Sequence, residues 1–149
     1  MGAQVWELLD RKGTTVIGVE GTQSVYEAVK EMADNNIGCV VVLTKTGSLS
    51  GLCSERDVFR KVVLEGKSAK KVEVREVMTP KRKLVTVAKN TTLTECMDLI
   101  TQKRIRHLPV LDDAGKLTGM ISIGDVVKAL STEKEMMIRQ LEHYIGSSL

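Results

Sequence analysis

Two pairs of small polar residues recur at one spacing: Ser54 with Asp57 in GLCSERDV, and Ser122 with Asp125 in GMISIGDV. In both stretches an apolar run that reads as a strand passes into a pattern that reads as a helix, and Gly51 or Gly119 opens the strand to close approach. A serine at such a junction donates or accepts a hydrogen bond. A carboxylate beside it can accept two hydrogen bonds from ribose hydroxyls, and the unpaired N–H groups of a first helical turn can receive phosphate or hydroxyl oxygens. The same residue types are also ordinary helix caps, and both readings stand on the residues alone. Ahead of the second pair, Arg106 and His107 precede Leu108 and Pro109 in RIRHLPV. A guanidinium can fork onto phosphate oxygens, and an imidazole can bind phosphate and charge as it does so. The alternative is a solvated basic helix end, where Lys103, Arg104 and Arg106 suit the helix dipole.

The elements that must position these residues repeat. Offset by 68 residues, Val16–Val63 lies on Leu84–Ser131 without a gap. Val19/Val87, Glu27/Glu95, Ile37/Ile105, Gly47/Gly115, Gly51/Gly119, Ser54/Ser122 and Asp57/Asp125 are among the identical pairs. Each copy predicts an extended run (Thr15–Val19; Leu84–Val87) and a helix capped by Ser24 or Thr92 (Val25–Asn35; Leu93–Arg104). Two strands follow (Cys39–Leu43 with Leu49–Cys53; Leu108–Leu111 with Leu117–Ile121), joined by turns at Gly47 and Gly115, then a closing helix (Glu55–Leu64; Ile123–Leu130). The fold class is thus α/β, with the order β-α-β-β-α occurring twice. The expected organisation is a first repeat with an N-terminal helix over 5–66, a polar, basic link over 67–83, a second repeat over 84–131, and a C-terminal helix and tail over 132–149. Each repeat is too small for a secure core alone, so the two are expected to pack as one module. Val5, Leu8 and Leu9 give the N-terminal segment an apolar face, and Met137, Leu141, Tyr144 and Ile145 do the same at the C-terminus. Such stripes call for a partner surface, on the module or on a second copy.

Composition narrows the function classes. The chain is 42% hydrophobic and 28% charged, with a net charge of +3, which suits a folded globular protein. It has no apolar run of membrane-spanning length and no signal-like N-terminus, which points to the cytoplasm, or to the mitochondrial matrix if a presequence has been removed. One Trp, one Phe and two Tyr leave few rings for stacking bases. Glu73 and Glu76 interrupt the basic link, so nucleic acid is not an expected partner. Three cysteines, Cys39, Cys53 and Cys96, form no CxxC pair. They suggest a reducing compartment without a disulfide framework or a zinc site.

The doubled β-α-β-β-α order, VMTP before the second copy, RIRHLPVLDDAGKLTGMISIGDVV and SERDVFRKV together resemble the CBS domain, and the tandem arrangement resembles a Bateman module, over roughly Val5 to Leu130. The ending IRQLEHYIGSS is similar to that of small stand-alone two-CBS proteins. The resemblance implies a non-catalytic regulatory module that binds an adenosine compound in the cleft between paired repeats: AMP first, NAD(H) second, with ATP and S-adenosylmethionine also in the class. It implies a homodimer and an unidentified regulated protein. It places Arg106, His107, Ser122 and Asp125 at the second site, with Val85 walling the adenine and Pro80 near the same base. The corresponding first-repeat positions are Ile17, Gly38, Cys39, Ser54 and Asp57, and Arg56, where the second repeat has Gly124, either partly replaces the missing cations or pairs with the neighbouring Glu55 or Asp57, the commoner fate of a surface arginine. The first repeat lacks Arg106, His107 and Pro109, having Gly38, Cys39 and Val41 instead, so its site is expected to be weaker, to take another ligand or to be empty. No HExxH, GxSxG, P-loop or GxGxxG motif occurs, so the chain is not expected to be an enzyme. The alternative is a structural or protein-interaction module whose nucleotide sites are degenerate.

Overall fold

The structure, a computed structural model, describes residues 2–148. In chain order the elements are α1 (Val5–Lys12), β1 (Gly18–Glu20), α2 (Val25–Asp34), β2 (Cys39–Leu43), β3 (Leu49–Ser54), α3 (Glu55–Val58), a π-helical turn (Phe59–Val63), α4 (Val74–Val77), β4 (Thr79–Pro80), a 3-10 turn (Lys81–Lys83), α5 (Leu93–Lys103), β5 (His107–Leu111), β6 (Leu117–Ser122) and α6 (Ile123–Ser148). They fall into two compact units, one of residues 15–85 with 115–117, the other of residues 2–14, 86–114 and 118–148.

The unit of the first repeat holds a four-stranded sheet in the order β1-β2-β3-β4. Strand β1 runs parallel to β2, with Val19 opposite Val42, while β2–β3 and β3–β4 are antiparallel. The run Val40–Val42 is buried throughout, as a strand covered on both faces must be. Behind it, Val25, Ala28 and Met32 of α2 join Val19, Cys53, Val58, Val62, Val72, Val74 and Val77 in one core. Ser24 caps α2, its hydroxyl accepting from Glu27 N at 3.2 Å. The turn from β2 to β3 closes through Thr44 N to Ser48 O at 2.8 Å, and Gly47 takes φ 87°, a conformation cheap only without a Cβ.

The unit of the second repeat repeats the plan. Thr92 caps α5 with a reciprocal box, Glu95 N to Thr92 Oγ1 at 3.1 Å and Thr92 N to Glu95 Oε2 at 2.9 Å. Leu93, Cys96 and Ile100 are buried on one helix face, and Leu108, Val110 and Ile121 on the strands. The leading extended run differs from expectation: instead of a strand over Leu84–Val87, it pairs only through a parallel bridge, Val87↔Val110. The reason is Pro109. Its counterpart Val41 donates its N–H to Ile17 O at 3.0 Å, and a proline has no N–H to give.

The end segments depart further from the sequence reading. Helix α1 does not belong to the unit of the first repeat, with which the sequence groups it. It is fixed to the second by Val5 N to Thr91 O (2.9 Å), Trp6 N to Lys89 O (2.9 Å), Leu93 N to Ala3 O (2.9 Å) and the bridge Gln4↔Thr92. The link 67–83 is likewise not a bare loop. It forms α4 and β4 and is tied to the unit of the first repeat by Val74 N to Gln23 O (2.8 Å), Arg75 N to Gly21 O (2.9 Å), Val25 N to Val72 O (2.9 Å) and the bridge Ser24↔Glu73. These two sets of bonds are the same set. VWELL (Val5–Leu9) and VREVM (Val74–Met78) are equivalent segments, each with a glutamate as its third residue that accepts from the cap backbone, Gln4 N to Glu7 Oε2 at 2.6 Å and Glu73 N to Glu76 Oε2 at 2.7 Å. Finally, the expected closing helix over Ile123–Leu130 and the C-terminal helix are one continuous α6 of 26 residues. No glycine or proline stands between Val126 and Ile145 to break it. Met137, Leu141 and Ile145 on α6 are exposed; the side chain of Tyr144 lies outside those described.

Candidate functional site

Four of the residues expected at the second site gather at the β6–α6 junction. The chain leaves α5 through Arg104, which takes the left-handed conformation (φ 54°) and so stops the helix. It then enters β5 at His107. The carbonyl of Arg106 accepts Ile123 N at 2.8 Å, which joins the start of β5 to the start of α6. Ser122 and Asp125 form a reciprocal cap, Ser122 N to Asp125 Oδ2 at 2.8 Å and Asp125 N to Ser122 Oγ at 3.2 Å. The capping reading is therefore realised, and it uses one of the two carboxylate oxygens.

A residue that sequence reasoning did not single out completes this cluster. Lys12, the last residue of α1, places Nζ 2.5 Å from Asp125 Oδ2 and 2.7 Å from Met120 O. The contact spans 113 residues, and no local spacing signals it. The electrostatics follow from this geometry. Burial raises the Asp125 carboxyl, but hydrogen bonds from Lys12 and Ser122, with the Lys12 charge, outweigh it and hold the group below its usual range. Burial lowers the His107 imidazole below its ordinary value, the Lys12 and Arg106 charges add to that, and the Asp125 charge only partly opposes them. His107 thus stands as a half-buried imidazole within the field of two cations and one anion, which together with burial disfavour its charged form. Arg106 and Arg104 are exposed.

The first repeat builds the same junction with other surroundings. Gly38 O accepts Glu55 N at 3.0 Å, as Arg106 O accepts Ile123 N. Ser54 N and Ser54 Oγ donate to Asp57 Oδ2 at 3.0 and 3.1 Å, and Asp57 N donates to Ser54 Oγ at 3.2 Å. The cation here is local: Lys61, one turn along, lies 3.6 Å from Asp57 Oδ1 and donates to Val77 O at 2.8 Å. Cys39, which matches His107, is buried, and burial followed by the Cys53 and Asp57 charges pushes its thiol up to about 12. Cys53 reaches about 12 and Cys96 about 11, mainly by burial, so all three stay protonated and unreactive near neutrality. Arg56 is exposed and enters none of the ion pairs seen among the described residues.

The remaining expected residues lie in the unit of the first repeat. Pro80 sits on β4 opposite Gly51, Val85 is half-buried in the last residue of that unit's main segment, and Ile17 packs on its core. Among the described residues no group of three or more His, Cys, Asp or Glu is placed to hold a metal, and no helix is long and apolar enough to cross a membrane.

Comparison with known proteins matches this architecture. The CBS-domain family profile matches residues 12–64 and 74–132, well over half of the chain. The chain is 43% identical over 125 residues to the mitochondrial CBS domain-containing protein CBSX3 of Arabidopsis thaliana, covering 82% of this chain and 60% of that relative's length. Among solved structures, the CBS-domain protein NE2398 superposes with a TM-score of 0.78 at 46% identity, covering 84% of this chain and 94% of that one. CBSX2, solved in complex with AMP, superposes with a TM-score of 0.70 at 26% identity, covering 89% of this chain and 99% of that one. With two matched repeats, the second having its leading strand reduced to the Val87↔Val110 bridge, the chain belongs to the CBS-domain family and carries its tandem pair, the Bateman module.

Proposed function

We propose that this chain is a non-catalytic regulatory module that binds an adenine nucleotide, with AMP the first choice and NAD(H) the second, and passes the bound state to a partner protein. The observation that carries this reading is the cluster at the β6–α6 junction: Ser122 and Asp125 at a helix start, Lys12 on the Asp125 carboxylate, and His107 within the field of Lys12, Asp125 and Arg106. Hydroxyl acceptors and phosphate-binding cations stand together there, as a nucleoside phosphate requires. The AMP complex of CBSX2 supports the same ligand class. Val85 and Pro80 are assigned to the adenine of this site, and Ile17, Gly38, Cys39, Ser54, Arg56 and Asp57 to a weaker first-repeat site. Binding would act by shifting the population of module conformations. A homodimer supplies cover for the exposed apolar residues of α6 and for Phe59, Val63 and Leu64. The proposed compartment is the cytoplasm, or the mitochondrial matrix for a chain that has lost a presequence.

A second reading is a protein-interaction module with empty sites. It is favoured by the state of Asp57 and Asp125, both already engaged by caps and lysines. A thermal-shift series with AMP, ATP, NAD(H) and S-adenosylmethionine separates the two. A ligand at a hundredfold over its dissociation constant adds about 2.7 kcal/mol, which raises Tm by several degrees. No shift with any of the four would leave the interaction module as the reading.

A further inference from the structure

Lys12 occupies the very group to which ribose binding is assigned. Its Nζ donates to Asp125 Oδ2 at 2.5 Å and to Met120 O at 2.7 Å. The side chains of Lys12 and Asp125 are 35% and 26% exposed, so the pair is open to solvent and to exchange. The stem is anchored: α1 is bonded to the start of α5 through Leu93 N to Ala3 O, Leu9 lies against Gly119, and Gly13 ends the helix at φ 98° with its N–H on Leu9 O at 2.7 Å. An ammonium on a flexible four-carbon stem can move while that base stays fixed.

Two classes of ligand meet this pair differently. A neutral nucleoside that takes Asp125 for its hydroxyls must displace the ammonium and offers it no anion in return. A phosphorylated nucleoside offers one, beside Arg106 and His107. Resting on the nucleotide-binding reading above, we propose that Lys12 makes the second-repeat site selective for phosphorylated over unphosphorylated adenosine compounds. With the site empty, Lys12 neutralises Asp125. With the ligand bound, Asp125 accepts from the ribose hydroxyls and Lys12 turns to the phosphate, so both charges keep a partner in both states. The rival account makes Lys12 a structural staple holding α1 to β6, with no part in selection.

The test is calorimetric titration of AMP and of adenosine into the wild-type chain, Lys12→Met and Lys12→Arg. The wild type should prefer AMP. Lys12→Met should lose about ten- to a hundredfold of that preference, the worth of one charge-assisted hydrogen bond, through weaker AMP binding, with adenosine bound as tightly or more so. Lys12→Arg should keep most of it. The AMP-to-adenosine ratio is taken within each variant, so a loss of folded fraction cancels. A wild-type ratio in Lys12→Met would overturn the proposal and leave Lys12 a staple, with nucleotide binding intact. Failure of the wild type to bind either compound would overturn both the proposal and the reading beneath it.

Discussion

The two units are assembled from the same parts list, and they differ where a ligand would notice. Each has a helical lead-in that stands ahead of the other repeat in the chain: α1, before the first repeat, serves the second, and α4, before the second, serves the first. Each has a Ser-x-x-Asp cap at its last strand–helix junction. At that junction the first repeat has Gly38, a buried Cys39 and a lysine one turn along the same helix. The second has Arg106, a half-buried His107 and a lysine brought in from α1. The cap is thus the common structural part, and the cations are what divides the pair. Repetition of Ser-x-x-Asp alone does not establish two sites, because capping accounts for it; the charged surroundings argue for one.

The lead-in contact offers the sharpest way to break this comparison. A Cβ on Gly51 would lie 2.5 Å from Thr79 O and 2.9 Å from Met78 Sδ, whereas one on Gly119 would meet only Leu9 Cδ2 at 2.9 Å and Cδ1 at 3.1 Å. Backbone cannot yield as a leucine tip can. Gly51→Ala should cost about 2–3 kcal/mol and Gly119→Ala about 1 kcal/mol, read as urea-unfolding free energies. Equal costs, or the reverse order, would mean that the two lead-ins are not seated as described.

The helix stops differ more gently. Asn36 and Arg104 both take φ 54°, but asparagine tolerates that conformation and arginine does not. Arg104→Gly should stabilise by about 1 kcal/mol, roughly 2–4 °C in Tm, and Asn36→Gly by less. A loss of stability at Arg104 would show that its side chain holds the fold.

The smallest expected effect is in pH dependence. The folded His107 lies below its ordinary value of 6.5, so over that interval the unfolded chain binds more protons and stability rises with pH. Stability should therefore decline as pH falls from about 7 to 5, and His107→Gln should flatten that slope. Asp125, held below 3.8, contributes stability above that value and loses it only as pH falls through its folded value, outside this interval. The first repeat, with Cys39 at the matching position, has no such group. An unchanged slope in His107→Gln would contradict the placement of the imidazole among Lys12, Arg106 and Asp125.

Much of the fold is legible in the sequence because local physics dictates it. Ser24 and Thr92 cap the helices they precede, Gly47 and Gly115 turn the hairpins, and the Val-rich runs become strands. The lead-ins are hidden by one residue. VWELL and VREVM match at an offset of 69, while the rest of the repeat matches at 68, so a gapless comparison passes over them. The shortened pairing at Val87 is in principle readable from Pro109, whose missing N–H removes a ladder bond. The Lys12–Asp125 pair is not: a lysine at a helix end is commonplace, and only the return of α1 to the second unit gives it a partner. The exposed apolar face that continues along α6 was legible as a stripe, but not as part of one unbroken helix.

The most direct measurement compares AMP affinity in Asp125→Ala and Asp57→Ala by calorimetry, with ligand-free Tm recorded for each as the control for the lost cap. Removal of a charged acceptor for ribose hydroxyls costs about 1.5–3 kcal/mol, so Asp125→Ala should weaken AMP roughly ten- to a hundredfold while Asp57→Ala leaves the principal site near its wild-type affinity. Unchanged affinity in Asp125→Ala together with lost binding in Asp57→Ala would contradict the ranking of the two sites, and unchanged affinity in both would reduce Ser-x-x-Asp to a pair of helix caps.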